Sequence, residues 1–233
     1  ALVLSVALDA DIAFRSPDAG AREAAEDRLG LLTPVVKGVL TDRGFDNAVA
    51  AQQVFGGAGY IAEAGIEQIV RDARIAMIYE GANGIQALDL VGRKLGRDGG
   101  RAITAFFAEV GDFVAEHAED AALAPFVKPL RRGLDDLKGA TVWFMANAMA
   151  RPDNGAAGAT DYMHLLGLVA LGHMWGRIAV AVRDKGEAAS EVQRDDLAFG
   201  RAFMERSMPE TALRLARIEA GAGTLMAIPD AAF

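Results

Sequence analysis

Residues 53–95 read QVFGGAGYIAEAGIEQIVRDARIAMIYEGANGIQALDLVGRKL. Four glycines fall within the eleven residues 55–65, which marks a tight irregular connection rather than the interior of a helix. Beyond it, 66–80 reads as a helix rich in Ile and Met, and 83–95 as another. The same reading extends outward in both directions. Ala and Leu are abundant, β-branched residues seldom alternate with polar ones, and Asn83-Gly84 and Asn154-Gly155 adjoin helical patterns instead of joining two strands. The pattern predicts helices at about 2–14, 21–42, 45–56, 66–80, 83–95, 99–118, 122–150, 159–184 and 191–227. The fold class is all-α.

A second glycine-rich joint, KLGRDGGR at 94–101, precedes long helices separated by the short polar segments RPDNGAAGA and DKGEAAS. It divides the chain into 1–96 and 97–233, and the latter reads as an up-down four-helix bundle. Its apolar positions recur at helical spacing, as in Phe106, Val110 and Phe113, or Leu134, Leu137, Thr141 and Phe144. Pro209 should kink or split the last helix. Residues 162–182 are apolar for about the length a bilayer requires, but His164, His173 and Arg177 would be costly in lipid, so the segment reads as a buried core helix and not as a membrane span.

Of 233 residues, 52% are hydrophobic and 24% charged, the balance of a folded chain. Lys and Arg total 24 against 32 Asp and Glu, a net charge of −8, and no basic block tracks a phosphate backbone; nucleic acid is excluded as a partner. The absence of cysteine removes disulfides, Cys-ligated zinc and thiol nucleophiles, and fits a reducing, cytoplasmic setting. The N-terminal stretch lacks the basic region and cleavage site of a signal peptide, and a chain opening on Ala1 is expected to be a fragment.

One carboxylate stands out. Glu80 lies between Tyr79 and Gly81 behind the apolar run 75–78, so a helix 66–80 would end on it. A helix C-terminus and partial burial both favour the protonated form of a carboxyl group, which suits a general base. Read from these residues alone, a lone carboxylate such as Glu80 is more readily a solvated residue at a helix end.

Residues 53–60 (QVFGGAGY) and 71–81 (RDARIAMIYEG) closely resemble two motifs of the acyl-CoA dehydrogenases, QxxGGxGY and RDARIxxIYEGTNxIQ, in the order and spacing of that family. The stretch ALRLARIEAGAGTLMA near the C-terminus resembles its larger subfamily, which carries an extra C-terminal helical domain. The resemblance implies FAD-dependent α,β-dehydrogenation of an acyl-CoA thioester. Glu80 matches the base that takes the α-proton. Gln53, Gly56 and Gly57 match the segment that approaches the FAD of a neighbouring subunit, and Gly81 and Ala82 match its edge. Where the family carries Thr, Ala82 offers no hydroxyl. A homodimer or homotetramer and an electron-transferring flavoprotein partner are implied as well, and the acyl group stays open between a straight chain and a short thioether-bearing one. The family's N-terminal helical and central β-domains have no counterpart here, so the isolated chain is expected to be inactive and to lose FAD. The alternative reading is a non-catalytic helical module for oligomerisation or interaction.

Other residues weigh less. His164 and His173 lie nine apart on one expected helix, a spacing that cannot share an ion; with His117 they read as core or surface histidines, and no metal site is expected. Arg71, Asp72 and Arg74 read equally as cofactor contacts or as a solvated ion-pair face. Trp143, Phe144 and Trp175 read as core. Ser207 has no base in register, and neither a GxSxG motif nor a phosphate-binding loop of the Walker type is present.

Overall fold

A computed structural model describes residues 1–148 and 151–232, and among these every regular element is helical. The ten α-helices are α1 (Leu2–Arg15), α2 (Ala19–Val54), α3 (Ile66–Ala76), α4 (Asn83–Asp89), α5 (Arg101–Glu116), α6 (Ala124–Asn147), α7 (Pro152–Lys185), α8 (Glu191–Arg206), α9 (Glu210–Glu219) and α10 (Gly223–Met226). A π-helical turn, Leu90–Lys94, continues α4, and Gly-rich 3-10 turns connect α2 to α3 and the π turn to α5.

Helix α7 is the axis of the molecule. It packs against α6 and α9 on one side and against α2 and α4 on another, with α8 alongside. Its span is long and apolar enough to cross a membrane, yet two thirds of the most apolar window is buried inside the protein, where Tyr162, Met163, Leu165, Leu166 and Val169 are inaccessible. The reading as a core helix holds. Small residues on α7 allow close approach: a Cβ added at Gly176 would lie 2.7 Å from the Phe113 ring, and one at Gly167 would lie 2.8 Å from Val39. Buried side chains from α1, α2, α4, α5, α6, α7, α8 and α9 form one continuous core, from Leu2 to Ile218.

Four helix boundaries differ from the sequence reading. The expected break at 43–44 is absent: α2 runs 36 residues without interruption through Gly44, because Leu31, Leu32, Val35, Val39 and Ala48 bury one continuous stripe. α3 stops at Ala76, four residues before Glu80. α7 begins at Pro152, with proline in the first turn where its missing N–H is harmless. The last expected helix splits at Pro209, between α8 and α9, as the sequence predicts, and has a further, unexpected break at Gly221, whose φ of 63° ends α9. Residues 149–150 of the expected helix 122–150 lie outside the described residues.

Candidate functional site

The glycine connection folds as two short 3-10 turns, Gly56–Tyr60 and Ala62–Ala64, stacked between α2 and α3. Gln52, not Gln53, closes it from within. The Gln52 Nε2 donates to the Gly59 carbonyl at 3.1 Å, and a Cβ on buried Gly59 would lie 2.7 Å from the Gln52 carbonyl oxygen. Gln53, Gly56 and Gly57 face outward and are exposed. Gly56 needs glycine for its φ of 60°, but at Gly57 neither the backbone angle nor any atom of this chain within 4 Å explains the missing side chain.

After α3 the chain makes a turn of unusual geometry. The Asn83 N–H donates to the Met77 carbonyl at 3.1 Å and closes a loop in which Glu80 adopts φ 54° and Gly81 φ 87°. Among the described residues only Glu80 and Asp98 are left-handed without being glycine, and Asp98 lies in the glycine-rich joint at 97–100. A left-handed non-glycine residue costs on the order of 1–3 kcal/mol and persists only where its surroundings hold it. Here Gln86 Nε2 donates to the Glu80 carbonyl at 3.3 Å and leaves no room for a Cβ on Gly81, 2.7 Å away. The Glu80 side chain itself is exposed, as are Ile78, Tyr79, Gly81 and Ala82. The setting expected for Glu80, at the end of a helix and partly buried, is therefore corrected. Once α3 has ended at Ala76, the carboxylate projects from a strained turn into open space.

Ala82 precedes α4 in an extended conformation and supplies no side-chain cap. Asn83, at 8% exposure, is the one buried residue of 77–83. Its Nδ2 donates to α2, with the Asp42 carboxylate at 2.6 Å, Thr41 Oγ1 at 2.9 Å and the Gly38 carbonyl at 3.1 Å around it, and its Oδ1 accepts from Lys37 Nζ at 2.6 Å. The other Asp42 oxygen meets His164 Nε2 of α7 at 2.8 Å. Burial alone would raise the Asp42 carboxyl, but the hydrogen bonds from His164 and Asn83, with the charges of His164 and Lys37, bring it below the usual carboxylate range. The sequence reading missed this cluster. It read His164 as a core or surface histidine and Asn83 as part of a cap or inter-helix turn, and no spacing in the sequence joins the two.

The remaining candidates separate from the turn. Arg71 and Asp72 are exposed, Asp72 accepting from Gln68, while Arg74 stacks over the Phe45 ring at 5.8 Å. His117, just after α5, and His173 of α7 both pack edge to face with Phe113 of α5. Trp143 and Phe144 pack edge to face, and Trp175 lies partly buried against the core. Among the described residues no three His, Asp or Glu side chains converge as metal ligands.

Two family models account for most of the sequence: "Acyl-CoA dehydrogenase, C-terminal domain" matches residues 11–95, and "Acetyl-CoA dehydrogenase C-terminal like" matches 106–229, more than half of the chain. The chain belongs to the acyl-CoA dehydrogenase family. Among the relatives of this acyl-CoA dehydrogenase chain, the 3-methylmercaptopropionyl-CoA dehydrogenase of Ruegeria pomeroyi is 36% identical over 73% of the chain and 29% of the relative. The broad-specificity linear acyl-CoA dehydrogenase FadE5 of Mycobacterium tuberculosis is 28% identical over 87% of the chain and 35% of the relative. The crystal structure of Caenorhabditis elegans ACDH-11 in complex with C11-CoA superposes with a TM-score of 0.68 at 18% identity, over 89% of this chain and 33% of that one, a likeness of fold. The acyl-CoA dehydrogenase chain spans about a third of the length of these relatives.

Proposed function

We propose that this chain supplies the catalytic base and one wall of the cofactor site to a FAD-dependent acyl-CoA dehydrogenase, which introduces an α,β double bond into an acyl-CoA thioester. The observation that carries this reading is the turn at Glu80. A carboxylate held outward on a left-handed backbone, fixed by Gln86 and Asn83 and flanked by exposed Ile78 and Tyr79, is kept in a conformation that is costly for a residue other than glycine. In this role a Glu80 oxygen takes the α-proton of the thioester as the C–H bond breaks, and its electron pair forms the new double bond. FAD, when bound, supplies the acceptor for the hydride that leaves the β-carbon. Gly56 and Gly57 fit a close approach to that cofactor from a neighbouring copy, since their exposed backbone carries no side chain to be displaced, and Gln53 beside them offers an amide. Gly81 and Ala82 stand next to the base at the same edge.

The assembly proposed is a homodimer or homotetramer, with an electron-transferring flavoprotein as electron acceptor. Eleven large apolar side chains between Val49 and Leu88 are exposed, more than this segment's own packing explains. The division at 96/97 is likewise proposed. Its support is that the two family models fall on either side of the joint, where Asp98, Gly99 and Gly100 are all left-handed.

Glu80→Gln in the complete enzyme tests the base directly. Turnover, followed by bleaching of the flavin on adding acyl-CoA, should fall on the order of 10²–10⁴-fold with the protein still folded and yellow. Turnover within a few-fold of the parent rejects the assignment.

A further inference from the structure

The Glu80 turn is held by hydrogen bonds at its two ends, and only one of its anchors reaches into the protein. Gln86 binds the Glu80 carbonyl from the next turn of the same short helix, and the Asn83 N–H closes the loop on Met77, so both contacts move with α4. The Asn83 side chain is different. It is buried, its donors go to α2, its acceptor takes the Lys37 ammonium, and Asp42, at 2.6 Å, is in turn bound on its other oxygen by His164. A continuous path of hydrogen bonds thus runs from α7, through α2, to the first residue of α4 and the turn it begins from. His164 is 7% exposed and its Nδ1 has no hydrogen-bond partner, so the Nε2 bond to Asp42 is the hydrogen bond that ties the ring to α2.

We propose that Asn83, Asp42 and His164 are positioning residues for Glu80: the residues of α2 and α7 fix the height and tilt of α4, and through Asn83 hold the left-handed turn that aims the carboxylate. The proposal rests on the reading of Glu80 as the base. It assigns to α7, which lies beyond the 94–101 joint, a part in catalysis that the glycine turn and the Glu80 motif do not contain. A half-satisfied version of this cluster would be costly, because Asn83 is buried, Asp42 is largely shielded from water, and each is the other's partner. The reason to keep it is precision, since a shift of about 1 Å in a reacting group costs up to 10²-fold in rate.

The test uses Asn83→Ala, His164→Leu and His164→Gln, the last keeping an N–H near the position of Nε2. In the complete enzyme the first two should lower kcat by about tenfold to a hundredfold while KM for acyl-CoA changes by less than about threefold, and His164→Gln should restore most of the loss. On a Glu80→Gln background Asn83→Ala should add no further loss in kcat, because its effect passes through Glu80. In this chain, amide hydrogen exchange over 78–82 should quicken in Asn83→Ala and His164→Leu and stay at the parent rate in Glu80→Gln. Parent-like kcat and exchange in both disrupting variants, or an equal further loss on the Glu80→Gln background, overturns the proposal. If Asn83→Ala does not fold, His164→Leu against His164→Gln decides by itself. Should Glu80→Gln turn over normally, the base assignment falls, and exchange across the turn still reports whether α7 holds it.

Discussion

Two histidines on one helix are treated in opposite ways. His164 receives a carboxylate from α2, whereas His173, two and a half turns further along α7 and 3% exposed, finds only Glu109 Oε1 at 3.5 Å, and its Nδ1 makes no hydrogen bond. Arg28 already occupies both Glu109 oxygens and reaches Asp9 as well. Burial, with the charges of Arg177 and Arg28 adding to it, pushes the His173 ring down to about 4. Its unfolded value lies near 6.5, so between these limits the unfolded chain binds a proton that the native chain does not. Stability is therefore full above about pH 6.5 and is lost as pH falls toward 4, by about 1.4 kcal/mol per pH unit. Urea unfolding at pH 6.5 and 4.5 should show the parent losing roughly 2 kcal/mol more than His173→Gln, which cannot take up the proton. Asp9, raised by burial, acts in the opposite direction but is present in both proteins and cancels. Equal losses in the two proteins would reject a buried neutral imidazole. At this scale the sequence reveals the contiguous parts of the site and not the assembled ones. Glu80 and the glycine turn stand out because residues adjacent in sequence carry their chemistry, but Asp42 lies 41 residues from Asn83 and 122 from His164, and no spacing rule joins them.

Among the elements, α2 and α7 approach each other closely at Gly167. A Cβ at Gly167 would meet Val39 at 2.8, 3.0 and 3.2 Å, and a β-branched side chain held in a helix has little freedom to turn away. Gly167→Ala should therefore destabilise the chain by about 1–3 kcal/mol, even though alanine is the better helix former. Gly44, on exposed α2 surface with nothing within 4 Å of an added Cβ, should show the reverse, a gain of about 0.5–1 kcal/mol on Gly44→Ala. Urea midpoints for the two variants give the answer, and a Gly167→Ala chain as stable as the parent would mean that the helices do not approach so closely. The same pair explains which helix boundaries the sequence discloses. Gly44 reads as a break by propensity, but the buried stripe from Leu31 to Ala48 overrides it, and packing likewise carries α2 through Pro34 and α6 through Pro129, whereas Pro209 splits α8 from α9 as expected. The early end of α3 was hidden because the apolar run 75–78 continues its pattern; Ile75 and Ile78 prove to be exposed, at 55% and 50%.

On the scale of the whole molecule, a single core spans both sides of the 94–101 joint, with α2 and α4 seated on α7. That core explains why the chain folds, but not its surface. Val54 at 86% and Tyr60 at 81% exposure flank the glycine turn, and Ile78 and Tyr79 flank Glu80, so the elements that carry the proposed site also carry large apolar side chains turned to solvent. Such a surface fits a wall completed by other protein, both the remainder of the enzyme and a neighbouring copy. A site for a ligand the size of a flavin encloses about 70–90% of its surface, and an outward glycine turn with an exposed carboxylate encloses far less. Gel filtration with in-line light scattering and absorbance should therefore separate two behaviours. The complete enzyme should elute as a dimer or tetramer with stoichiometric flavin, whereas this chain, mixed with FAD and acyl-CoA, should elute colourless and reduce no dye. A complete enzyme that is monomeric at micromolar concentration would remove the neighbouring copy from the site, and stoichiometric FAD retained by this chain alone would show that its residues enclose the cofactor without help.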